Sequence, residues 1–194
     1  GPLAVTSVDT AGDVGIYPSV SCPSSTDCKI AYTGNITDPH GILKFKDCDN
    51  SQCTTGPPPT TADSHGDGYN AMNCPTATNC KIAFNKSDGV QNNLWFRDCD
   101  NATCSTGFSN PIYGDPNNGA ANWISMDCPT SNDCKIASLV PGQLNFFDCN
   151  DEDCIPSDGF NPGVSGFVTS VACPAADNCK IATFSGLGLS IRDC

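Results

Sequence analysis

CPSSTDCKIAY, Cys22 to Tyr32, returns as CPTATNCKIAF from Cys74, as CPTSNDCKIAS from Cys128 and as CPAADNCKIAT from Cys173. A second half follows each copy: LKFKDC from Leu43, LWFRDC from Leu94, LNFFDC from Leu144 and LSIRDC from Leu189. The first three copies go on to one more cysteine, Cys53, Cys104 and Cys154. The leading cysteines lie 52, 54 and 45 residues apart. A period of about 50 residues, with turn residues between short apolar runs, is the mark of a propeller or a solenoid.

Each unit holds four short strand candidates. Strand A ends at the first cysteine, as in Ser19-Val20-Ser21. Strand B follows the second, as in Lys29-Ile30-Ala31-Tyr32. Strand C alternates with period two: Leu43, Phe45 and Asp47 on one face, Lys44, Lys46 and Cys48 on the other. Strand D is placed around Thr54 to Thr61, where Pro57-Pro58-Pro59 suits only an outer edge. No segment has a helical period. Four antiparallel strands per unit make a propeller blade, A innermost and D outermost.

The expected fold is therefore an all-β propeller of four blades in one domain, with repeats at about 17–68, 69–122, 123–167 and 168–194. The fourth copy stops after strand C, while the chain begins with the strand-like run Ala4-Val5-Thr6-Ser7-Val8. Residues 4–16 are expected to complete the last blade and so close the ring, which removes an open edge.

VDTAGDVGIYPSV, Val8 to Val20, with GILKFKDC after it and DNATC from Asp100 to Cys104, carries a resemblance. It is similar to repeats of secreted, mostly bacterial, cysteine-containing propeller proteins, which read VDxxGDVGxYxS, ISYYD, GDLKxxxC and NAxC. The likeness touches all four units. The full VDTAGDVG element stands only before the first; later copies read DSHGDGY and GAANWIS. It implies the propeller fold, and the family offers no shared catalytic residue to carry over. The Asp-box of sialidase propellers, Ser-x-Asp-x-Gly-x-Thr-Trp, is absent.

Composition narrows the function classes. Nine Lys and Arg against 21 Asp and Glu give a net charge of −12, which repels a phosphate backbone and argues against nucleic acid. No apolar run approaches the roughly 18 residues of a membrane span. Gly1-Pro2-Leu3 has neither a basic nor an apolar leader region, so a signal peptide is expected to be gone already. Gly-Pro is also a residue of tag cleavage.

The 15 cysteines follow C-x5-C and then C-x4-C. Local bridges across the A–B and C–D turns are expected: Cys22–Cys28, Cys48–Cys53, Cys74–Cys80, Cys99–Cys104, Cys128–Cys134, Cys149–Cys154 and Cys173–Cys179. Cys194 is left over. The strand register also allows Cys28–Cys48, which strands Cys22 and Cys53 too far apart to bridge. Zinc is disfavoured, because C-x5-C is wide for ligands and no His accompanies a pair. Such staples belong to a secreted or cell-surface protein.

Lys29, Lys81, Lys135 and Lys180 open strand B, and Asp47, Asp98, Asp148 and Asp193 close strand C. In a B–C hairpin these meet as repeated cross-strand ion pairs, each worth about 0.2–1 kcal/mol if exposed. Three sequons begin at Asn35, Asn85 and Asn101.

The stapled turns share one face of the ring; the B–C and D–A loops, which vary in length, share the other. Variable loops on a rigid scaffold are where recognition evolves. Five residues before the first cysteine stand Tyr17, Tyr69, Trp123 and Val168. Three aromatics thus ring one end of the channel, as candidates to bind a ligand by stacking on sugar faces. Asp9, Asp13, Asp63, Asp67, Asp115 and Asp158 in the D–A loops are the oxygen ligands calcium takes, but lack EF-hand spacing and suit ordinary Asp-Gly turns. No cofactor is expected. His40 and His65 lie in no nucleophile or metal motif. The expected role is non-catalytic recognition of a glycan or cell-surface protein, as in a lectin or adhesin. A structural assembly repeat and a glycan-active enzyme are the alternatives.

Overall fold

The computed structural model describes residues 5–35, 41–50, 52–87, 92–112, 121–140, 143–151, 154, 158–160, 168–185 and 188–194. Its strands make four antiparallel sheets. Unit 1 is β1 (Val14–Ser24), β2 (Asp27–Gly34), β3 (Ile42–Cys48) and β4 (Thr60–Asp63). Unit 2 is β5 (Gly66–Thr76), β6 (Asn79–Ser87), β7 (Asn92–Cys99) and β8 (Gly107–Pro111). Unit 3 is β9 (Asn122–Thr130), β10 (Asp133–Val140), β11 (Gln143–Cys149) and β12 (Asp158–Phe160). Unit 4 is β13 (Val168–Ala175), β14 (Asn178–Ser185) and β15 (Gly188–Asp193). Within each sheet the strand order is the chain order. The first strands are innermost, β1 against β5, β5 against β9 and β9 against β13. No comparable contact joins β13 to β1 among the described residues.

Two expectations need correction. The outer strand of unit 1 falls at Thr60–Asp63, because the three prolines before it cannot donate to a ladder. Lys46 Nζ instead donates to the Pro57 carbonyl at 2.6 Å. The N-terminal run does not complete the last sheet: residues 5–8 carry no strand, and β15 is bonded to β14 alone among the described strands. Ala4 lies outside the described residues. The segment is tied to unit 1 instead, where the Asp9 carboxylate accepts Tyr32 Oη at 2.7 Å and also Lys44 Nζ.

The cysteines are paired locally, each bridge spanning five or six residues across an A–B or C–D turn. Cys194 is free and exposed. After the fourth cysteine of units 1 and 2 come Gly56 and Gly107, with φ of 117° and 121°. A Cβ there would fall 2.4 and 1.9 Å from the carbonyl oxygens of Asp47 and Asp98. The C–D corner therefore admits only glycine at these positions.

Period-two alternation decides what each face meets. Ala31, Leu43 and Phe45 of unit 1 pack with Met72, Ile82 and Phe84 of unit 2. Ala83, Leu94 and Phe96 then meet Met126, Ile136 and Phe147 of unit 3. Ala137, Leu144 and Phe146 meet Val171 and Ile181 of unit 4. The core is thus a set of layers between units. The inner edges of units 2 and 4 lack a further strand, and side chains of the preceding unit bond to them. Ser19 Oγ accepts the Met72 N–H at 2.9 Å and Ser21 Oγ that of Cys74 at 2.9 Å. Ser125 Oγ accepts the Val171 N–H at 2.8 Å, and Asp127 that of Cys173 at 2.6 Å.

The Lys–Asp pairs form in register in all four units. Lys29, Lys81 and Lys135 are buried, because the following unit covers them. Lys180 is exposed. Asp27 and Asp133 bring second carboxylates to Lys29 and Lys135 at 2.6 Å each. Asn79 stands at that position in unit 2. Burial lowers the Lys29 ammonium pKa, but hydrogen bonds to Asp27 and Asp47 override it and hold the group above its ordinary value. Lys135 behaves likewise with Asp133 and Asp148.

Candidate recognition site

The inner strands bring Tyr17, Tyr69 and Trp123 into one row. Ring centroids lie 4.2 Å apart for Tyr17 and Tyr69, tilted by 39°, and 5.1 Å apart for Tyr69 and Trp123, tilted by 41°. Tyr17 is 41% exposed and Trp123 46%. The Tyr69 phenol is pushed up, first by burial and then by its hydrogen bond with Tyr17. Val168 takes the equivalent register on β13, opposite Phe184.

A register irregularity lies at each aromatic, between Ile16 and Ser19, Gly66 and Asn70, and Asn122 and Ser125. Tyr17 and Trp123 have φ of 49° and 51°, a left-handed conformation that aromatic residues rarely adopt. Such bulges re-aim a side chain out of the sheet. The backbone here is held by polar side chains from neighbouring units. Asn70 Nδ2 donates to the Tyr17 carbonyl at 2.7 Å, and Thr169 Oγ1 to that of Trp123 at 2.6 Å. Thr33 Oγ1 donates to the Gly68 carbonyl at 2.8 Å, and the Asn85 amide to that of Ala121. None of these four was singled out in the sequence as a pinning residue; Asn85 stood out only as the start of a sequon. Their one signal is that the position is polar in some copies and apolar in others, such as Thr33 and Asn85 against Leu139 and Phe184.

Two clusters lie in units 1 and 2 near this end of the inner strands. One is Asp9, Tyr32 and Lys44. In the other, Lys86 Nζ sits 3.0 Å from Asp63 and 4.4 Å from the centre of the Trp95 ring. Asp9 and Asp63, two of the aspartates considered for calcium, are thus ion-paired. Asp115 and the side chains of Asp67 and Asp158 lie outside the described residues, as does His40. Among the described residues no three His, Cys, Asp or Glu side chains converge as a metal site. His65 is an exposed turn residue whose Nδ1 lies 2.9 Å from Ser64 Oγ. Asn85 is buried and bonded to Ala121, which closes that sequon to a glycan.

Burial raises the Asp9 carboxyl, but hydrogen bonds from Lys44, Tyr32 and the Ala11 N–H win and bring it to about 2. The Tyr32 phenol is pushed up by burial and by Asp9. Because the folded carboxyl titrates below its unfolded value, its stabilisation is full above about pH 4 and fades as pH falls toward 2. Acidification through that window is expected to free the segment around Asp9. Amide hydrogen exchange of Ala11, whose N–H bonds Asp9 Oδ1 at 2.9 Å, reads this directly. Asp9→Asn should show the fast exchange already at pH 6, with the acid step gone.

The fold defines an all-β protein of four propeller-like sheets, with seven disulfides among the described residues. No family model and no curated protein matches the chain. Among solved structures it is similar to a subtype N10 neuraminidase-like protein of A/little yellow-shouldered bat/Guatemala/060/2010. That match has 10% identity and a TM-score of 0.49, over 90% of this chain and 57% of that one. The chain therefore spans a little over half the length of that neighbour.

Proposed function

We propose that the chain is an extracellular, non-catalytic recognition module that binds a neutral glycan along the row of Tyr17, Tyr69 and Trp123. The observation that carries this reading is the row itself: aromatics from three units, continuous at stacking distance, with the two outer members exposed. Positive φ at both exposed members supports it, since backbone strain of about 1–3 kcal/mol collects at functional sites. Exposed aromatic faces offer flat apolar area to the C–H faces of a sugar at low entropic cost. A net charge of −12 disfavours sialylated or sulfated chains. Seven disulfides support an oxidising compartment.

A glycan array with neutral and anionic members is the test. Binding is expected on neutral members. Trp123→Ala should weaken it by about tenfold or more, as loss of an exposed aromatic anchor does. The unfolding temperature should stay unchanged, because Trp123 is not in the core. Silence across the array, or cleavage of an arrayed glycan, overturns the proposal.

A further inference from the structure

Each of the seven disulfides lies within a single unit, so among the described residues no side-chain covalent bond joins one unit to the next. At the boundary of units 1 and 2, two oxidisable side chains are already in contact. The Tyr17 and Tyr69 ring centroids are 4.2 Å apart and tilted by 39°, and the two phenols share a hydrogen bond. The pair is held by bonds that cross the same boundary. Asn70, the chain neighbour of Tyr69, donates to the Tyr17 carbonyl at 2.7 Å, and Ser19 Oγ accepts the Met72 N–H at 2.9 Å. Tyr17 is 41% exposed, so a reagent in solution reaches the pair. Trp123 extends the stack, 5.1 Å from Tyr69. Tyr32 is placed quite differently: it is buried and gives its O–H to Asp9. Tyr113 lies outside the described residues.

We propose that Tyr17 and Tyr69 form an oxidative crosslinking site, at which a carbon–carbon bond between the two rings staples unit 1 to unit 2. The co-reactants are hydrogen peroxide and a haem peroxidase, which withdraws electrons one at a time. Each phenol gives up one electron and its O–H proton. The two phenoxyl radicals then join through ring carbons ortho to their oxygens. Each of those carbons loses its hydrogen as a proton, and each ring oxygen takes one up, so both hydroxyls return. The chain is left short of two hydrogen atoms, and one peroxide has become two waters. Geometry selects this outcome. Coupling needs two rings in contact, which separate molecules reach only by collision, whereas this pair is held there in advance. Coupling between chains is opposed by the charge of −12 that each carries. The bond ties strands β1 and β5 together at their bulges, where the disulfides do not reach. It draws on the phenols and is independent of glycan binding.

Treatment of the full, disulfide-bonded chain with a haem peroxidase and hydrogen peroxide tests this. The expected product is monomeric, lighter by the mass of two hydrogen atoms, and shows dityrosine fluorescence. After proteolysis its mass map should join the peptide of Tyr17 to that of Tyr69. The yield per chain should hold steady when the protein is diluted about tenfold, because both rings belong to one molecule. Tyr17→Phe and Tyr69→Phe each keep the stacked rings and remove one phenol. Each should retain the wild-type circular dichroism and lower the Tyr17–Tyr69 product by about tenfold or more. A chain that loses no hydrogen, a crosslink that maps to other residues or forms mainly between chains, or oxidation confined to oxygen added at Trp123 overturns the inference. Persistence of the product in either Phe variant overturns it as well.

Discussion

In reductant the chain is expected to lose its cooperative fold at 25 °C. Each disulfide closes a turn of five or six residues' separation, for which chain entropy gives about 2–2.5 kcal/mol. The loops do not overlap, so the seven contributions are independent of one another. Together they match or exceed the upper end of the roughly 5–15 kcal/mol that a whole domain usually commands. The units have little else to hold their ends, since most of the core lies between sheets. Circular dichroism during titration with a reductant checks this. Retention of a sharp thermal transition after all seven bridges are opened, with thiols counted by mass, would show that the interunit layers suffice.

Lys81→Met is expected to destabilise the oxidised protein by about 3–5 kcal/mol, as removal of one partner of a buried ion pair does. Lys81 and Asp98 are both buried between units 2 and 3, and the substitution strands the carboxylate there. Neutralising both partners, as Lys81→Met with Asp98→Leu, removes the stranded charge and should restore most of the loss. Denaturant unfolding of the three proteins measures the cycle. Lys180→Met is the contrast: its pair with Asp193 is exposed, and the expected change is below about 1 kcal/mol. Equal effects at Lys81 and Lys180 would mean that burial by the next unit does not set the strength of the pair.

The difference between those two lysines shows where sequence reading stops. Cys-Lys-Ile-Ala and Asp-Cys mark which residues face each other across strands B and C, because each motif is the same in every copy although the loop between them varies in length. Spacing of five and four residues likewise favours local bridges, although the register also sets Cys28 opposite Cys48. Whether a lysine at that register lies in water is decided by a residue about 50 positions away, and no local pattern carries that information. The start of strand D escapes the sequence for a related reason: its pairing is short, and only the exclusion of the proline run from the ladder sets where it begins.

The candidate site divides in the same way. Repeat alignment places Tyr17, Tyr69 and Trp123 at one register, so their common end of the molecule follows from the sequence alone. Their stacking depends on how far each unit is turned from the last. The bonds of Asn70 and Thr169 to neighbouring backbone carbonyls help hold that relation. By itself the sequence determined the repeating unit, its strand faces and its cross-strand partners, all properties of a few residues at fixed spacing. The tertiary structure alone decided which faces are covered, which lysines are dry, and that the N-terminal segment binds unit 1 through Asp9. Those outcomes belong to contacts between units, whose free energy is set by area removed from water and not by any run of neighbouring residues.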